Sequence, residues 1–223
     1  MDVYLETGKK RTFAGALDWP GWCRSGKDEA SALSTLLNYG PRYARAIETA
    51  HLDFEAPLDA SAFTVVARLE GNVGTDFGAP NVVPSIDAAP VGEADLKHYQ
   101  ELLEALWSSF DTAVKAAEGK ELRLGPRGGG RDLEKIIQHV YEADQAYLSR
   151  LGGALTAEQK KSSPRHGLTD LRQTILTTLG PAARGELPPV GPRGGARWTP
   201  RFFVRYFAWH LLDHTWEIED RIL

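Results

Sequence analysis

The chain has 223 residues, 42% of them hydrophobic and 25% charged, ordinary globular values that exclude a disordered chain and allow one domain or two small ones. Lysine and arginine number 26 against 30 acidic residues, and this net charge of −4 argues against a nucleic-acid partner. The lone cysteine, Cys23, excludes an internal disulfide and a Cys-rich zinc module, and no run approaches the ~18 apolar residues that span a bilayer. The opening Met-Asp-Val-Tyr-Leu-Glu carries no signal-peptide pattern, so a reduced, cytoplasmic protein with no membrane partner is expected.

In chain order, Val3–Leu5 and Thr12–Leu17 read as short strands around the turn Thr7-Gly8-Lys9-Lys10. Asp18-Trp19-Pro20-Gly21 breaks the second strand. Ser25-Gly26 leads into an amphipathic helix from about Lys27 to Tyr39, with Ala30, Leu33, Leu36 and Leu37 at helical spacing. Gly40-Pro41 is expected to interrupt it, and Arg42–Thr49 to resume it. Phe63–Leu69 has the strongest strand composition, and the Gly, Pro, Asn and Ala of Gly71–Gly92 read as a linker or long loop.

The remainder reads as helical. Glu93–Ala117 places Leu96, Tyr99, Leu103, Leu106, Phe110 and Ala113 on one stripe. A helix capped by Asp132 runs to about Leu151 and buries Ile136, Val140, Ala143 and Tyr147, with Gly152-Gly153 ending it. Leu168–Leu179 is a third helix, stopped by Gly180-Pro181. Thr199-Pro200 starts a fourth that runs almost to Leu223. The expected fold is therefore a small α+β unit over residues 1–75, a linker over 76–91 and an all-α four-helix bundle over 92–223. The string Gly-Pro-Arg-Gly-Gly occurs twice, at Gly125–Gly129 and Gly191–Gly195, and carries no fold meaning of its own.

Chemistry concentrates at the histidines. His210 and His214 stand four apart on the last helix, which puts both rings on one face with Cβ atoms roughly 5–6 Å apart. They share the stripe of Phe203, Phe207 and Ile218, where burying an unpaired polar group costs about 1–3 kcal/mol. His139 lies similarly on the second helix. Three inward histidines from two helices supply the ligand set of a metal site with open coordination positions. His51, His98 and His166 fall at helix ends, on exposed faces or in loops, where an ordinary structural role is expected. A His-Glu-x-x-His zinc peptidase is excluded because Leu211 stands at the glutamate position. The inverted His-x-x-Glu-His form has Asp213 in place of its glutamate, and only nine residues remain for a further acidic ligand.

Ile-Gln-His139-Val-Tyr-Glu142-Ala-Asp, taken with Trp-His210-Leu-Leu-Asp-His214-Thr-Trp-Glu-Ile, resembles the DinB/YfiT-like metalloenzyme family over about Gly92–Leu223. The resemblance implies a four-helix bundle, often a homodimer, that holds zinc or nickel on His139, His210 and His214. Characterised relatives include thiol S-transferases and a mycothiol-dependent isomerase, so it also implies a small-molecule substrate and a low-molecular-weight thiol cofactor. Leu17-Asp18-Trp19-Pro20-Gly21-Trp22-Cys23-Arg24-Ser25-Gly26 followed by Asp28-Glu29-Ala30 is similar to the strand–turn–helix pattern of HicB antitoxins. Trp19 and Trp22 depart from that pattern and read as core or interdomain packing. Only a shared architecture is implied, not antitoxin activity.

Cys23 follows a turn beside Arg24, a setting that lowers a thiol pKa, yet no histidine is near in sequence and a packing role is expected. Glu142, Asp213 and Glu217 each lie within a turn of a candidate ligand, placed either to act as a base or hydrogen-bond partner at the site or to line a solvated helix face. Arg127, Arg131, Arg193 and Arg197 precede the second and fourth helices. If those loops meet, they form a cationic rim for an acidic substrate or thiol; otherwise they are solubilising surface. Two functions fit: a metal-dependent hydrolase or thiol transferase, or a non-catalytic metal- or ligand-binding protein in which the HicB-like unit mediates assembly.

Overall fold

The computed structural model describes residues 1–124, 130–192 and 194–223. The protein is α+β, with a four-stranded mixed sheet in its first third and six helices, mostly C-terminal. None of the described helices is long and apolar enough to cross a membrane.

Strand β1 (Asp2–Thr7) pairs antiparallel with β2 (Thr12–Ala16) and parallel with β4 (Thr64–Glu70). Strand β3 (Cys23–Gly26) completes the order β3-β2-β1-β4. β3 lies where the sequence reads as a lead into a helix. Four residues with Arg, Ser and Gly show no alternation, and only the pairing with β2 makes them a strand. Helix α1 (Glu29–Ala46) opens on a capping box at Asp28 and runs unbroken through Gly40-Pro41, which corrects the expected interruption. Pro41 removes one backbone donor, but the buried stripe of Leu36, Gly40 and Tyr43 continues across it. Gly40 leaves room there for the Trp22 ring, whose indole donates to the Leu36 carbonyl at 2.9 Å.

The 71–92 stretch is not wholly loop. It holds the short α2 (Val73–Phe77) and a 3-10 turn at Ser85–Ala88. Glu6, buried in β1, accepts from the Thr75 hydroxyl and the Val82 amide, which fastens this stretch to the sheet.

Helix α3 (Glu93–Ala117), α4 (Leu133–Leu151) and α6 (Pro200–Arg221) follow the sequence pattern closely. α5 (Pro164–Ala183) runs past Gly180-Pro181, a second correction: the proline falls in the last turn and removes only one donor there. The buried stripe of α4 also differs. Ile136, Val140, Tyr141, Asp144, Leu148 and Leu151 are buried, whereas Ala143 and Tyr147 are half-buried at its edge. α6 packs on α3 and α4, and its remaining side meets the sheet.

One hydrophobic core joins the sheet to the helices, from Val3 and Trp22 through Leu103 and Phe110 to Phe207 and Ile218. Trp19 packs edge-on against Phe54 and against His98 of α3. Polar links reinforce the junction. Buried Arg205 of α6 forks onto Asp87 at 2.6 and 2.9 Å and donates to the carbonyls of Ala16 and Leu17. Arg42 of α1 reaches Glu219 and Asp220.

Removing one partner of a buried ion pair leaves the other charge uncompensated, so Asp87→Ala is expected to lower unfolding stability by about 3–5 kcal/mol in urea titrations. Asp144 supplies a pH test. Burial pushes its carboxyl well above the usual range, and the nearby Arg172 is committed to Asp111. A raised folded pKa means that stability falls as pH rises from about 4 toward that pKa, by about 1.4 kcal/mol for each pH unit in which only the folded state keeps the proton. Asp144→Asn is therefore expected to be more stable than the native protein at pH 7, with the difference closing near pH 4 in the same titrations.

Candidate metal centre

α4 and α6 meet at three histidines. α6 starts cleanly, with the Thr199 hydroxyl accepting from Phe202 and Pro200 in the first turn, and it is then buried on nearly every face. That burial carries His210 and His214 inside, at 7% and 8% exposure. His139 is half-buried at the edge of the α4 stripe. Its Nε2 lies 3.3 Å from Nε2 of His210, and one ring nitrogen from each of His139, His210 and His214 falls within 4.8 Å of the others. Two nitrogens bound tetrahedrally to one ion at about 2.0–2.1 Å are themselves about 3.3 Å apart. Three histidines are thus close enough to hold a metal ion. No fourth His, Cys, Asp or Glu joins the group among the described residues.

The electrostatics suit ligation. Burial, reinforced by the neighbouring His214 and His139, holds His210 well below the usual imidazole range. Burial and His214, with Arg131 adding to them, lower His139 in the same direction. Both rings are therefore neutral at pH 7 and present lone pairs, the form that binds a cation. The donor set also fits an ion by its accounting. Nε2 of His139 and Nε2 of His210 face each other and share at most one proton, so an ion taken up between them would meet both lone pairs, whereas Nδ1 of His210, the other ring nitrogen, is buried without a partner among the described residues and would not be met by that ion.

His214 is oriented from behind. Its Nδ1 meets Glu217 Oε2 at 2.8 Å, leaving Nε2 as its free nitrogen. The His214 bond, with Arg221 on Oε1 adding to it, holds the Glu217 carboxyl below the usual range, so it is ionised. Arg221 is itself fixed by the carbonyls of Arg123 and Arg131. Such a carboxylate behind a histidine fixes its tautomer and ring orientation.

The other sequence candidates go elsewhere. Asp213 pairs instead with Arg24 at 3.0 Å. Glu142 is exposed and accepts from the Gln138 amide one turn back. Arg131, at the start of α4, is near enough to influence His139 and His210, whereas Arg197 packs against Gly152 beyond the end of α4. Those points are separated by the 19 residues of α4, about 28 Å, so the two arginines do not share a rim. Arg127 and Arg193 lie outside the described residues. Cys23 is buried, 3.6 Å from the Tyr4 hydroxyl, and burial pushes its thiol up to about 12, which suits packing and not nucleophilic attack. His166 bonds Ser163, and His98 packs on Trp19.

One neighbour of the site reads in the sequence only as a core residue. Tyr147 meets the His210 ring edge-on at 5.3 Å and stacks on Trp198 at 5.5 Å. It follows His139 by eight residues, two turns on the same helix face, and that spacing was available as a signal. Burial pushes the Tyr147 hydroxyl far above its ordinary pKa, so it stays protonated.

No protein-family model, curated protein or solved structure matches this chain.

His210→Ala is expected to abolish binding of added Zn²⁺ in isothermal titration while leaving the far-ultraviolet helical signal in place, because the helices have their own apolar core. Glu217→Gln keeps all three rings but weakens the hydrogen bond behind His214. Its Zn²⁺ affinity is expected to fall about 10–100-fold in the same measurement.

Proposed function

We propose that this chain is a divalent-metal-dependent enzyme, a hydrolase or thiol S-transferase acting on a small molecule, on a four-helix bundle of the DinB/YfiT-like kind. His139, His210 and His214 would hold the ion, Zn²⁺ or Ni²⁺. The observation that carries the reading is a three-nitrogen donor set with no fourth protein ligand among the described residues, the pattern of sites that keep a coordination position for water or substrate.

When bound, the ion supplies Lewis-acid polarisation of a substrate oxygen or lowers the pKa of a water or thiol near neutrality. The chain's own residues have separate tasks. Glu217, engaged by His214 and Arg221, positions the ring and is not free to take a proton from substrate. Tyr147 stays protonated beside His210, so it does not serve as a phenolate base at neutral pH. Tyr147, Trp198 and Tyr206 pack together as an aromatic wall against which an apolar substrate group can rest.

The test is elemental analysis of protein purified without added metal, joined to a screen of ester and thiol-transfer substrates. About one ion per chain is expected, with turnover that disappears in His210→Ala. Stoichiometric metal without turnover on any substrate would replace this reading with the non-catalytic one, an ion- or ligand-binding protein.

A further inference from the structure

A second polar site lies at the far end of α4. There a depression of about 540 Å³ is lined by Ser149 and Arg150 of α4 and by Gly191, Gly195 and Arg197 of the segment before α6. Depressions elsewhere combine basic side chains with carboxylates: Glu48 and Glu219 beside Arg42, Asp111 beside Arg172, Glu101 beside Lys97, and Asp132 beside Arg131. Among the described residues, no Asp or Glu lines this one. Arg165, Arg172, Arg201 and Arg205 each hold a carboxylate, while Arg150 and Arg197 hold none among the described residues.

The site is built, not incidental. Residues 189–192 and 194–197 are drawn together, with Gly191 donating to Gly195, Arg197 donating to Pro189, and Gly194 at φ +83°. The Trp198 amide then donates to the Arg150 carbonyl at 2.9 Å and pins them to α4. Gly152, at φ +118°, ends α4 and leaves the space that the Arg197 guanidinium fills; a side chain there would collide with Nη1. Nε and Nη1 of Arg197 are shut away from solvent with no acceptor among the described residues. A cation at a helix C-terminus ordinarily serves the last carbonyls, but these two nitrogens make no such bond, so capping does not account for them.

From this we infer that the Arg150–Arg197 depression binds the oxyanion of a small organic molecule, a carboxylate or phosphate. Guanidinium groups favour both anions by charge and by N–H donation, and Arg197, with two nitrogens shut away from water, carries a charge that no carboxylate among the described residues balances. Stacked Trp198 and Tyr147 lie between this depression and His210. Binding at the depression does not depend on the metal reading.

The experiment is isothermal titration of the full chain at low ionic strength with inorganic phosphate and, separately, with benzoate, each at matched chloride. Saturable binding of at least one anion is expected, and the better-bound one identifies the head group. Arg150→Gln and Arg197→Gln are expected to weaken it by about tenfold or more, while Arg45→Gln, on a distant depression, leaves it unchanged. Zn²⁺ binding measured on the same variants should be unaltered, which separates this site from the histidines. Should a variant unfold, the native protein still decides: phosphate or benzoate must shift the Nε–H resonances of Arg150 and Arg197 in ¹⁵N spectra. Absence of saturable binding by both anions, or equal affinity in folded Arg150→Gln and Arg197→Gln, overturns the inference.

Discussion

Everything in this structure depends on α6 being buried around almost its whole circumference. A helix so enclosed cannot send its polar side chains to water, so each must be met by the element packed against that face. The sheet side meets Arg205 with Asp87 and two strand carbonyls. The α4 side carries His210 and His214, and there the pairing is incomplete: His214 has Glu217, but one nitrogen of His210 has nothing among the described residues.

The same enclosure sorts the acidic residues. Asp213 and Glu217 both lie within a turn of His214 and stand four apart on one helix face, yet they meet different neighbours. Arg24, brought by β3, takes Asp213. The turn before β3 can come this near because Gly21, with no side chain, packs directly on Ala208 and Leu212. Glu217 is left to His214 and Arg221. One carboxylate thus fastens the sheet while the other holds a ring in orientation, though in sequence they look interchangeable.

Helices with long apolar stripes and clear caps were legible from the sequence. The 25-residue stripe of α3 and the capped starts at Asp132 and Thr199 are signals carried by local sequence. Gly40-Pro41 and Gly180-Pro181 misled because a proline signal is local, whereas the burial that carries α1 through it is tertiary. β3 was invisible for the same reason: it exists through its partner. At the site, the spacing of His210 and His214 and the placement of His139 were readable. The roles of Asp213 and Glu217 were not, since they depend on which face of α6 the sheet covers. Nor was the separation of Arg131 from Arg197, which depends on α4 lying lengthwise between them.

The bond from Arg205 to the Ala16 carbonyl joins residues 189 apart in the chain. Strand β2 is made early, but the helix that covers this edge of the sheet is made almost last. During synthesis the sheet must therefore wait, with Phe13 and Leu17 lacking the Trp209 and Tyr206 side chains that later complete their cluster. Contacts of such long range close slowly and leave apolar surface open meanwhile. The nascent chain consequently has a window in which a chaperone, or a second unfinished chain, competes with α6 for the same surface.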